Sequence, residues 1–103
     1  MHLYFMETSD VSSRETRYYT YILLSIHDKG FYIGFTTNLK NRLIEHAEGK
    51  VRSTKDRRPL KLIHYEYFID KADSKAREIF LKSGFGRMQL KQALKHTLEK
   101  HKT

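Results

Sequence analysis

Apolar and aromatic residues cluster in two short segments of the first half of the chain. Tyr18 to Ser25 and Phe31 to Phe35 are both rich in aromatic and branched side chains, a composition typical of β-strands. The residues His27-Asp28-Lys29-Gly30 between them favour a turn, and Gly30 is free to adopt a positive φ angle. The pattern therefore predicts a β-hairpin as the first unit of the fold.

The apolar spacing then changes from that of a strand to that of a helix. Leu39 and Leu43 lie on one face of a helix that we predict from about residue 39 to residue 48. Residues 36–38 contain candidates for its N-cap, and Gly49 is a suitable end. The hairpin is thus expected to lead directly into a helix.

A third strand and two further helices complete the predicted order. Residues 60–69 are predicted as a strand, and a second helix is predicted to begin near Asp73 or Ser74. Two glycines within residues 83–86 are expected to end that helix, and a last helix is predicted over about residues 87–100. The order ββαβαα predicts an α+β domain with a small three-stranded antiparallel or mixed sheet flanked by helices.

The length and the residue usage limit the domain organisation and the cellular setting. A chain of 103 residues has room for one core, so we predict a flexible N-terminal arm over residues 1–16 and a single domain over residues 17–103. The absence of cysteine excludes disulfides and thiolate metal sites. No apolar run approaches the ~20 residues of a membrane span, and the N-terminus lacks the basic start of a secretory signal. We therefore expect a cytoplasmic protein that does not contact membranes.

The charge balance favours a polyanionic partner. The chain has 20 Lys and Arg against 12 Asp and Glu, for a formal net charge of +8. Such an excess on a small domain is typical of nucleic-acid-binding proteins. A soluble protein whose positive charge serves only its solubility is the alternative that charge alone leaves open.

Four side chains near the predicted hairpin and first helix are candidates for chemistry. Arg42 and His46 are one helical turn apart and leave the same face of the helix. Tyr32 lies on the second strand, and Tyr21 lies on the first strand, where it can face Tyr32. Gly34 shares a face with Tyr32 and opens space beside it for a substrate. Taken singly, the pair of Arg42 and His46 is more often a solvated helix face, and two facing tyrosines are more often simply packed together.

A glutamate and a basic loop add a possible metal ligand and a possible DNA contact. Glu78 lies one step from the apolar stripe of the second helix, and a single carboxylate of this kind suits Mg²⁺, which keeps most of its water ligands. An ion pair with Lys82 is the simpler interpretation of Glu78. The basic residues of the loop before the third strand are candidates for contacts with the DNA backbone: Arg52, Lys55, Arg57 and Arg58.

The ordered combination of these residues resembles the signature of the GIY-YIG nucleases. The resemblance covers about residues 18–87 and is closest to small single-domain members that are similar to the N-terminal nuclease module of the bacterial excinuclease. It is carried by Tyr21, Tyr32-Ile33-Gly34, Asn41-Arg42-Leu43-Ile44-Glu45-His46, Arg57-Arg58-Pro59 and Ala76-Arg77-Glu78. The chain departs from the family at Tyr19-Thr20, which replaces the glycine and isoleucine of the first motif.

The resemblance implies a role for each of five residues. Tyr21 would activate the attacking water, and Tyr32 would orient the site. Arg42 would stabilise the scissile phosphate, while His46 would assist with proton transfer or contact the phosphate. Glu78 would hold a divalent metal ion, Mg²⁺ or Mn²⁺. We also expect the metal and the nearby cations to lower the pKa of Tyr21 from its ordinary value near ~10.

The sequence therefore predicts a metal-dependent endonuclease that hydrolyses DNA phosphodiester bonds, with a structure-directed role or a role in DNA repair or recombination. RNA remains open as a substrate, as do the preferred DNA structure and the oligomeric state. The alternative is a non-catalytic nucleic-acid-binding module on the same fold. A structural adaptor has support only from the last amphipathic helix.

Overall fold

A three-stranded antiparallel sheet forms the centre of the molecule. The computed structural model describes residues 15–102, in which the strands are β1 (Tyr18–Ser25), β2 (Phe31–Thr36) and β3 (Leu60–Phe68). The strand order is β2-β1-β3, so β1 is the central strand and pairs antiparallel with both neighbours. The predicted α+β fold is confirmed, and the sheet is antiparallel throughout.

Within residues 15–102, four helices surround this sheet, and the element order there is ββαβααα. The helices are α1 (Leu39–Ala47), α2 (Lys71–Lys82), α3 (Gly84–Ala93) and α4 (Lys95–Lys100), and a short 3₁₀ turn (Lys55–Arg57) lies in the loop before β3. The side chain of Asn38 caps α1 by accepting a hydrogen bond from the backbone N–H of Asn41. Gly49 follows α1 with a φ of +76°, as expected for a glycine after a helix.

The two faces of the sheet have different partners. One face packs against α2 and α3 through a core of aliphatic and aromatic side chains: Ile22, Leu24, Phe31, Ile33, Leu81 and Leu90. Since successive strand residues point to opposite faces, Tyr21 and Leu23 project from the other face. There α1 and the basic loop cover one half of the sheet, around Leu23, Leu43 and His46. Four of the five residues predicted to do chemistry therefore lie on this second face: Tyr21, Tyr32, Arg42 and His46.

The helical boundaries after β3 differ from the prediction. Asp70 rather than Asp73 or Ser74 caps α2, because its carboxylate accepts a hydrogen bond from the N–H of Ala72. Ser74 is instead buried against the sheet, where its hydroxyl and carbonyl oxygens each lie 2.9 Å from Thr20 Oγ1. Ser74 therefore lies inside α2, where it bonds the sheet, and it is not the N-cap.

The segment with two glycines is helical rather than a loop. Ser83 ends α2, and its hydroxyl oxygen accepts a hydrogen bond from the N–H of Gly86, so that α3 begins at Gly84. The predicted last helix is interrupted at Leu94, whose φ of −107° lies outside helical geometry. Both Leu94 and Leu98 pack against the core.

The hairpin turn also differs in its detail. Lys29 adopts the positive φ angle of 64° that the sequence suggested for Gly30. The carboxylate of Asp28 accepts a hydrogen bond from the N–H of Gly30, and the Ser25 carbonyl accepts one from the N–H of Lys29. These local bonds place the left-handed residue one position earlier.

Within residues 15–102, no helix is both long enough and apolar enough to cross a membrane.

The two glycines of α3 provide a matched test of this packing. A Cβ atom at Gly86 would lie 1.9 Å from the carbonyl oxygen of Phe80, whereas one at Gly84 would have no atom within 4 Å. We expect Gly86→Ala to lower the free energy of unfolding by at least about 1–3 kcal/mol, the usual range for overpacking. Gly84→Ala is expected to leave it unchanged or to raise it slightly, because alanine is the better helix former. Urea unfolding followed by circular dichroism measures both changes, and equal effects at the two positions would contradict the described packing of α2 and α3.

Candidate active site

A buried hydrogen bond between Tyr21 and His46 is the centre of the candidate site. Tyr21 lies on the central strand and is 0% exposed, and His46 lies in the last turn of α1 and is 1% exposed. The Tyr21 phenol oxygen is 2.7 Å from His46 Nε2. The bond therefore joins the sheet to α1 and brings together two residues that are 25 positions apart.

Tyr32 completes a cluster of three rings at this position. It pairs with Leu23 in the register of β1 and β2 and so lies diagonally across from Tyr21. Its ring centroid is 6.2 Å from that of Tyr21 and 5.1 Å from that of His46. Tyr32 remains partly exposed, so one side of the cluster is accessible to a substrate.

Gly34 makes the packing of Tyr21 possible. The two residues are direct partners in the register, and a Cβ atom at Gly34 would lie 2.5 Å from both Cζ and Oη of Tyr21. The space that the sequence suggested for a substrate beside Tyr32 is thus occupied by the Tyr21 ring. Gly34 is itself buried and accommodates the phenol in this structure, and its contact with DNA stays a prediction.

Thr54 supports the far side of the His46 ring and was not identified from the sequence. Thr54 Oγ1 lies 2.7 Å from His46 Nδ1, is fully buried, and lies 3.5 Å from the carbonyl oxygen of Val51. Because a carbonyl can only accept a hydrogen bond, we assign the Thr54 hydroxyl as the donor to Val51 and as the acceptor from Nδ1–H. His46 Nε2 then carries no proton and accepts the hydrogen bond that the Tyr21 hydroxyl donates.

The pKa values of the pair are consistent with this proton arrangement. Burial raises the pKa of Tyr21 to about 12, against the opposing effect of the Arg42 guanidinium, and Tyr32 adds to the rise. Burial, together with the positive charge of Arg42, also lowers the pKa of His46 to about 4. Arg42 does lower the pKa of Tyr21, but desolvation outweighs it in the protein without metal, and the effect of a bound metal ion stays a prediction. Both groups are neutral at pH 7, and the shared proton rests on the phenol.

Arg42 lies at the solvent side of the same cluster. Its Nη1 atom is 2.9 Å from Glu45 Oε1, and about a third of its side chain is exposed. The nearby Tyr21 phenol and the hydrogen-bonded Glu45 carboxylate raise the pKa of Arg42 above its ordinary value. The guanidinium is thus a fixed positive charge that is held beside the Tyr21 hydroxyl and open to an anion.

Glu78 is not joined to this cluster. It lies on α2, which packs on the opposite face of the sheet from α1, and its carboxylate oxygens lie 3.6 Å from Lys75 Nζ and 2.9 Å from Lys82 Nζ. The described hydrogen bonds and ion pairs include none between Glu78 and the other four candidate residues. Over residues 15–102, no group of three or more His, Cys, Asp or Glu is placed to hold a metal ion.

Two of the four basic loop residues have structural partners. Arg57 donates to both carboxylate oxygens of Asp28, at 2.7 and 3.1 Å, and this contact lowers the pKa of Asp28 below its ordinary value. Arg58 donates to the carbonyl oxygens of Lys55, at 2.8 Å, and Ala47, at 3.3 Å. These contacts connect the loop to the hairpin turn and to the end of α1.

The side chains of Arg52 and Lys55 are exposed. Of the other two predicted DNA contacts, Arg58 is also exposed and Arg57 is partly buried.

The neutral state of buried His46 predicts a pH dependence of stability. Its pKa of about 4 in the folded protein lies below the ~6.5 of an unfolded histidine, so the unfolded chain binds the extra proton between these pH values. Above about pH 6.5, neutral His46 makes its full contribution to the free energy of unfolding. As the pH falls towards 4, this contribution decreases by up to roughly 3 kcal/mol. We expect His46→Gln to remove this part of the slope in urea titrations between pH 7 and 4.5. The slope should persist in the control His96→Gln, which changes an exposed histidine. An identical slope in the wild type and in both variants would contradict the burial of His46.

Substitutions at Thr54 test the direction of the hydrogen-bond chain. We expect ¹⁵N NMR of the wild-type imidazole of His46 to show a protonated Nδ1 and an unprotonated Nε2, because Thr54 accepts from Nδ1. Thr54→Val removes the acceptor with little change in shape and should shift His46 towards the other tautomer or a mixture. Thr54→Ser keeps the hydroxyl and should retain the wild-type spectrum. A protonated Nε2 in the wild type would contradict the assignment.

The elements that build this site coincide with a known catalytic domain. The model of the GIY-YIG catalytic domain matches residues 17–91, which include every element from β1 to the greater part of α3.

Similar proteins come from several bacteria. A UPF0213 protein of Limosilactobacillus reuteri is 37% identical over 86 residues, which are 81% of this chain and 88% of the relative. UPF0213 protein YsiG of Lactococcus lactis is 39% identical over 87 residues, covering 84% of this chain and 83% of the relative. The solution NMR structure of a UPF0213 protein from Bacillus halodurans is 31% identical, covers 75% of this chain and 84% of its own, and superposes with a TM-score of 0.49. With the family's domain matched over most of its length, the chain belongs to the GIY-YIG family, whose members are generally nucleases.

Proposed function

We propose that this protein is a metal-dependent endonuclease that hydrolyses DNA phosphodiester bonds, and that Tyr21 and His46 transfer the proton of the attacking water. The observation that carries the proposal is the 2.7 Å hydrogen bond between the Tyr21 phenol and His46 Nε2. A buried pair of this kind, next to an exposed arginine, is suited to phosphate chemistry rather than to packing alone.

In the proposed mechanism, two proton transfers accompany the attack of water on phosphorus. The water oxygen bonds to phosphorus, and a water proton passes to Tyr21 Oη while the Tyr21 proton passes to His46 Nε2. The bond between phosphorus and the leaving oxygen breaks, and the proton on His46 later returns to the leaving oxygen or to solvent. Because the pKa of Tyr21 is raised to about 12, a preformed phenolate is not the base, and the two proton movements are coupled.

Arg42 supplies the positive charge for the phosphate in this proposal. Its guanidinium presents a planar fork of donors that matches phosphate oxygens, and its present partner Glu45 is a half-exposed carboxylate. An incoming phosphate takes the place of Glu45, because an exposed ion pair contributes little to stability. Tyr32, partly exposed beside Tyr21, orients the attacking water or the phosphate.

Glu78 fits a metal that arrives with the substrate better than one that the protein holds by itself. Mg²⁺ commonly binds one or two carboxylates and completes its shell with water and substrate phosphates, and Glu78 offers one hard oxygen donor with a side chain that is 13% exposed. Lys75 and Lys82 now neutralise that carboxylate. When bound, Mg²⁺ or Mn²⁺ would neutralise charge on the phosphate.

The rest of the proposal concerns the substrate and its setting. Arg52 and Lys55, which are exposed on the basic loop, contact the DNA backbone in this proposal and position it without reading its sequence. Residues 17–103 act as a single domain in this proposal, and most of the arm predicted over residues 1–16 lies outside the described residues 15–102. The activity belongs to DNA repair or recombination in the cytoplasm, or to another structure-directed process.

A pair of tyrosine substitutions tests the catalytic role of Tyr21. Tyr21→Phe removes only the hydroxyl and is expected to slow cleavage of labelled DNA by about 10²- to 10⁴-fold, the usual contribution of general acid–base catalysis. Tyr18→Phe makes the same change on the opposite face of β1, where the ring stacks on Phe35, and should leave the rate unchanged. Single-turnover cleavage of plain, nicked and branched duplexes in Mg²⁺ or Mn²⁺ provides the measurement. Cleavage by Tyr21→Phe at the wild-type rate would remove Tyr21 from the mechanism.

The role of Glu78 separates the nuclease from a module that only binds nucleic acid. Glu78→Ala is expected to abolish metal-dependent cleavage while leaving salt-sensitive DNA binding in place, because the Lys75 and Lys82 charges remain. Lys82→Gln serves as the control that removes an ion-pair partner without removing the oxygen donor. Binding without cleavage in the wild type, on every DNA structure tested, would instead favour the binding module.

A further inference from the structure

Three exposed or half-exposed tyrosines lie beside the candidate site on the same face of the sheet. Tyr19 and Tyr67 are direct partners in the register of β1 and β3, as are Tyr21 and Tyr65. Since alternate residues of a strand share a face, Tyr19, Tyr65 and Tyr67 all project on the side of Tyr21. We call these three residues the tyrosine platform.

The platform is accessible although it is made of large aromatic rings. Tyr65 and Tyr67 are 50% and 49% exposed, and α1 covers the other half of this sheet face, around Leu23 and Leu62. The ring of Tyr19 lies 6.0 Å from that of Tyr65 and 5.9 Å from that of Tyr67. Contiguous exposed aromatic surface on a small domain commonly marks a binding site.

The charge around the platform indicates what it binds. The Arg17 guanidinium lies 4.8 Å from the centroid of the Tyr67 ring, and Arg42 lies beside Tyr21 at the inner end of the platform. The nearest carboxylate of β3, on Glu66, is turned to the other face, where it bonds Arg77 and His64. Aromatic rings bordered by arginine, on a chain with a net charge of +8, suit bases joined to a phosphate backbone.

The spacing of the rings favours a single strand over a duplex. Tyr65 and Tyr67 are alternate residues of one strand, and their Cα atoms are therefore separated by about 6.6 Å. Stacked bases in a duplex follow one another every ~3.4 Å along each strand, and their faces are covered by neighbouring bases. Only unstacked bases of a single strand can place one face on each ring.

We propose that the tyrosine platform binds a single-stranded segment of the DNA substrate and leads it to Tyr21 and Arg42. The proposal rests on the proposed nuclease function, and it specifies the substrate as DNA with a single-stranded region next to the scissile phosphate. Bases stack on Tyr65 and Tyr67, Arg17 contacts the backbone, and the strand continues towards the accessible side of the Tyr32 ring.

Binding without divalent metal tests the platform independently of catalysis. The full chain is titrated in EDTA against a fluorescently labelled oligothymidine of ~15 nucleotides, within the usual site size of such surfaces, and against a hairpin duplex of similar length. The double variant Tyr65→Ala/Tyr67→Ala should bind the single strand at least about tenfold more weakly, since each base–aromatic stack contributes about fivefold or more. Its affinity for the duplex should stay within about twofold.

Two controls distinguish stacking from other losses. Tyr65→Phe/Tyr67→Phe keeps both rings and should bind the single strand as the wild type does, and Phe85→Ala, which removes a 59% exposed ring on α3, should change nothing. Equal weakening for both DNA forms, or no weakening, would overturn the proposal. Sedimentation velocity without DNA adds a further test, because dimers of the wild type that disappear in the double alanine variant would assign the platform to self-association instead. If the wild type binds the single strand as expected but does not cleave DNA when metal is added, the proposed nuclease function is contradicted. The proposed role of the tyrosine platform in binding would still stand.

Discussion

The hydrogen bond between Tyr21 and His46 sets the requirements for the rest of this face of the structure. Both side chains are almost fully removed from water, so each polar atom needs a partner inside the protein, since an unpaired buried polar group costs about 1–3 kcal/mol. Gly34 leaves space for the phenol, Thr54 bonds the second nitrogen of the imidazole, and the loop before β3 holds Thr54. In the described part of the chain, no buried side-chain nitrogen or oxygen lacks a hydrogen-bond partner.

A small domain separates its core from its chemistry by using both faces of one sheet. The face against α2 and α3 carries the apolar core cluster, which a chain of this size needs for stability. The face against α1 carries the polar cluster, and β1 contributes to both because it is the central strand. Thr20 and Tyr21 illustrate the division: neighbours in sequence, one bonds Ser74 of α2 and the other bonds His46 of α1.

Much of this architecture follows from local patterns in the sequence. The hairpin, the helix after Asn38 and the third strand were predictable because alternation, capping residues and helical spacing act over a few positions. The role of Ser74 was not, because a serine near a helix start is an ordinary N-cap, and only tertiary packing turns it towards Thr20.

The site was predictable in part, for a similar reason. One turn of helix brings Arg42 and His46 to the same side, as expected. The sequence did not point to Thr54, which lies in a basic loop, because its role depends on a contact with His46, eight residues earlier. Gly34 signalled free space, but the register of β1 and β2 decides that Tyr21 occupies it. The surroundings of Glu78 depend on how α2 packs against the sheet. The spacing of residues along the chain could not predict this packing.

The central claim is that a neutral His46 accepts the proton that Tyr21 donates, and a direct titration of the His46 ring tests it. The ring proton signals of His46 are assigned by comparison with His46→Gln and followed by NMR from about pH 7 downwards. We expect His46 to stay neutral until the pH approaches its pKa of about 4. Titration of His46 near the ~6.5 of a solvated histidine would contradict the buried, neutral acceptor on which the proposed chemistry depends.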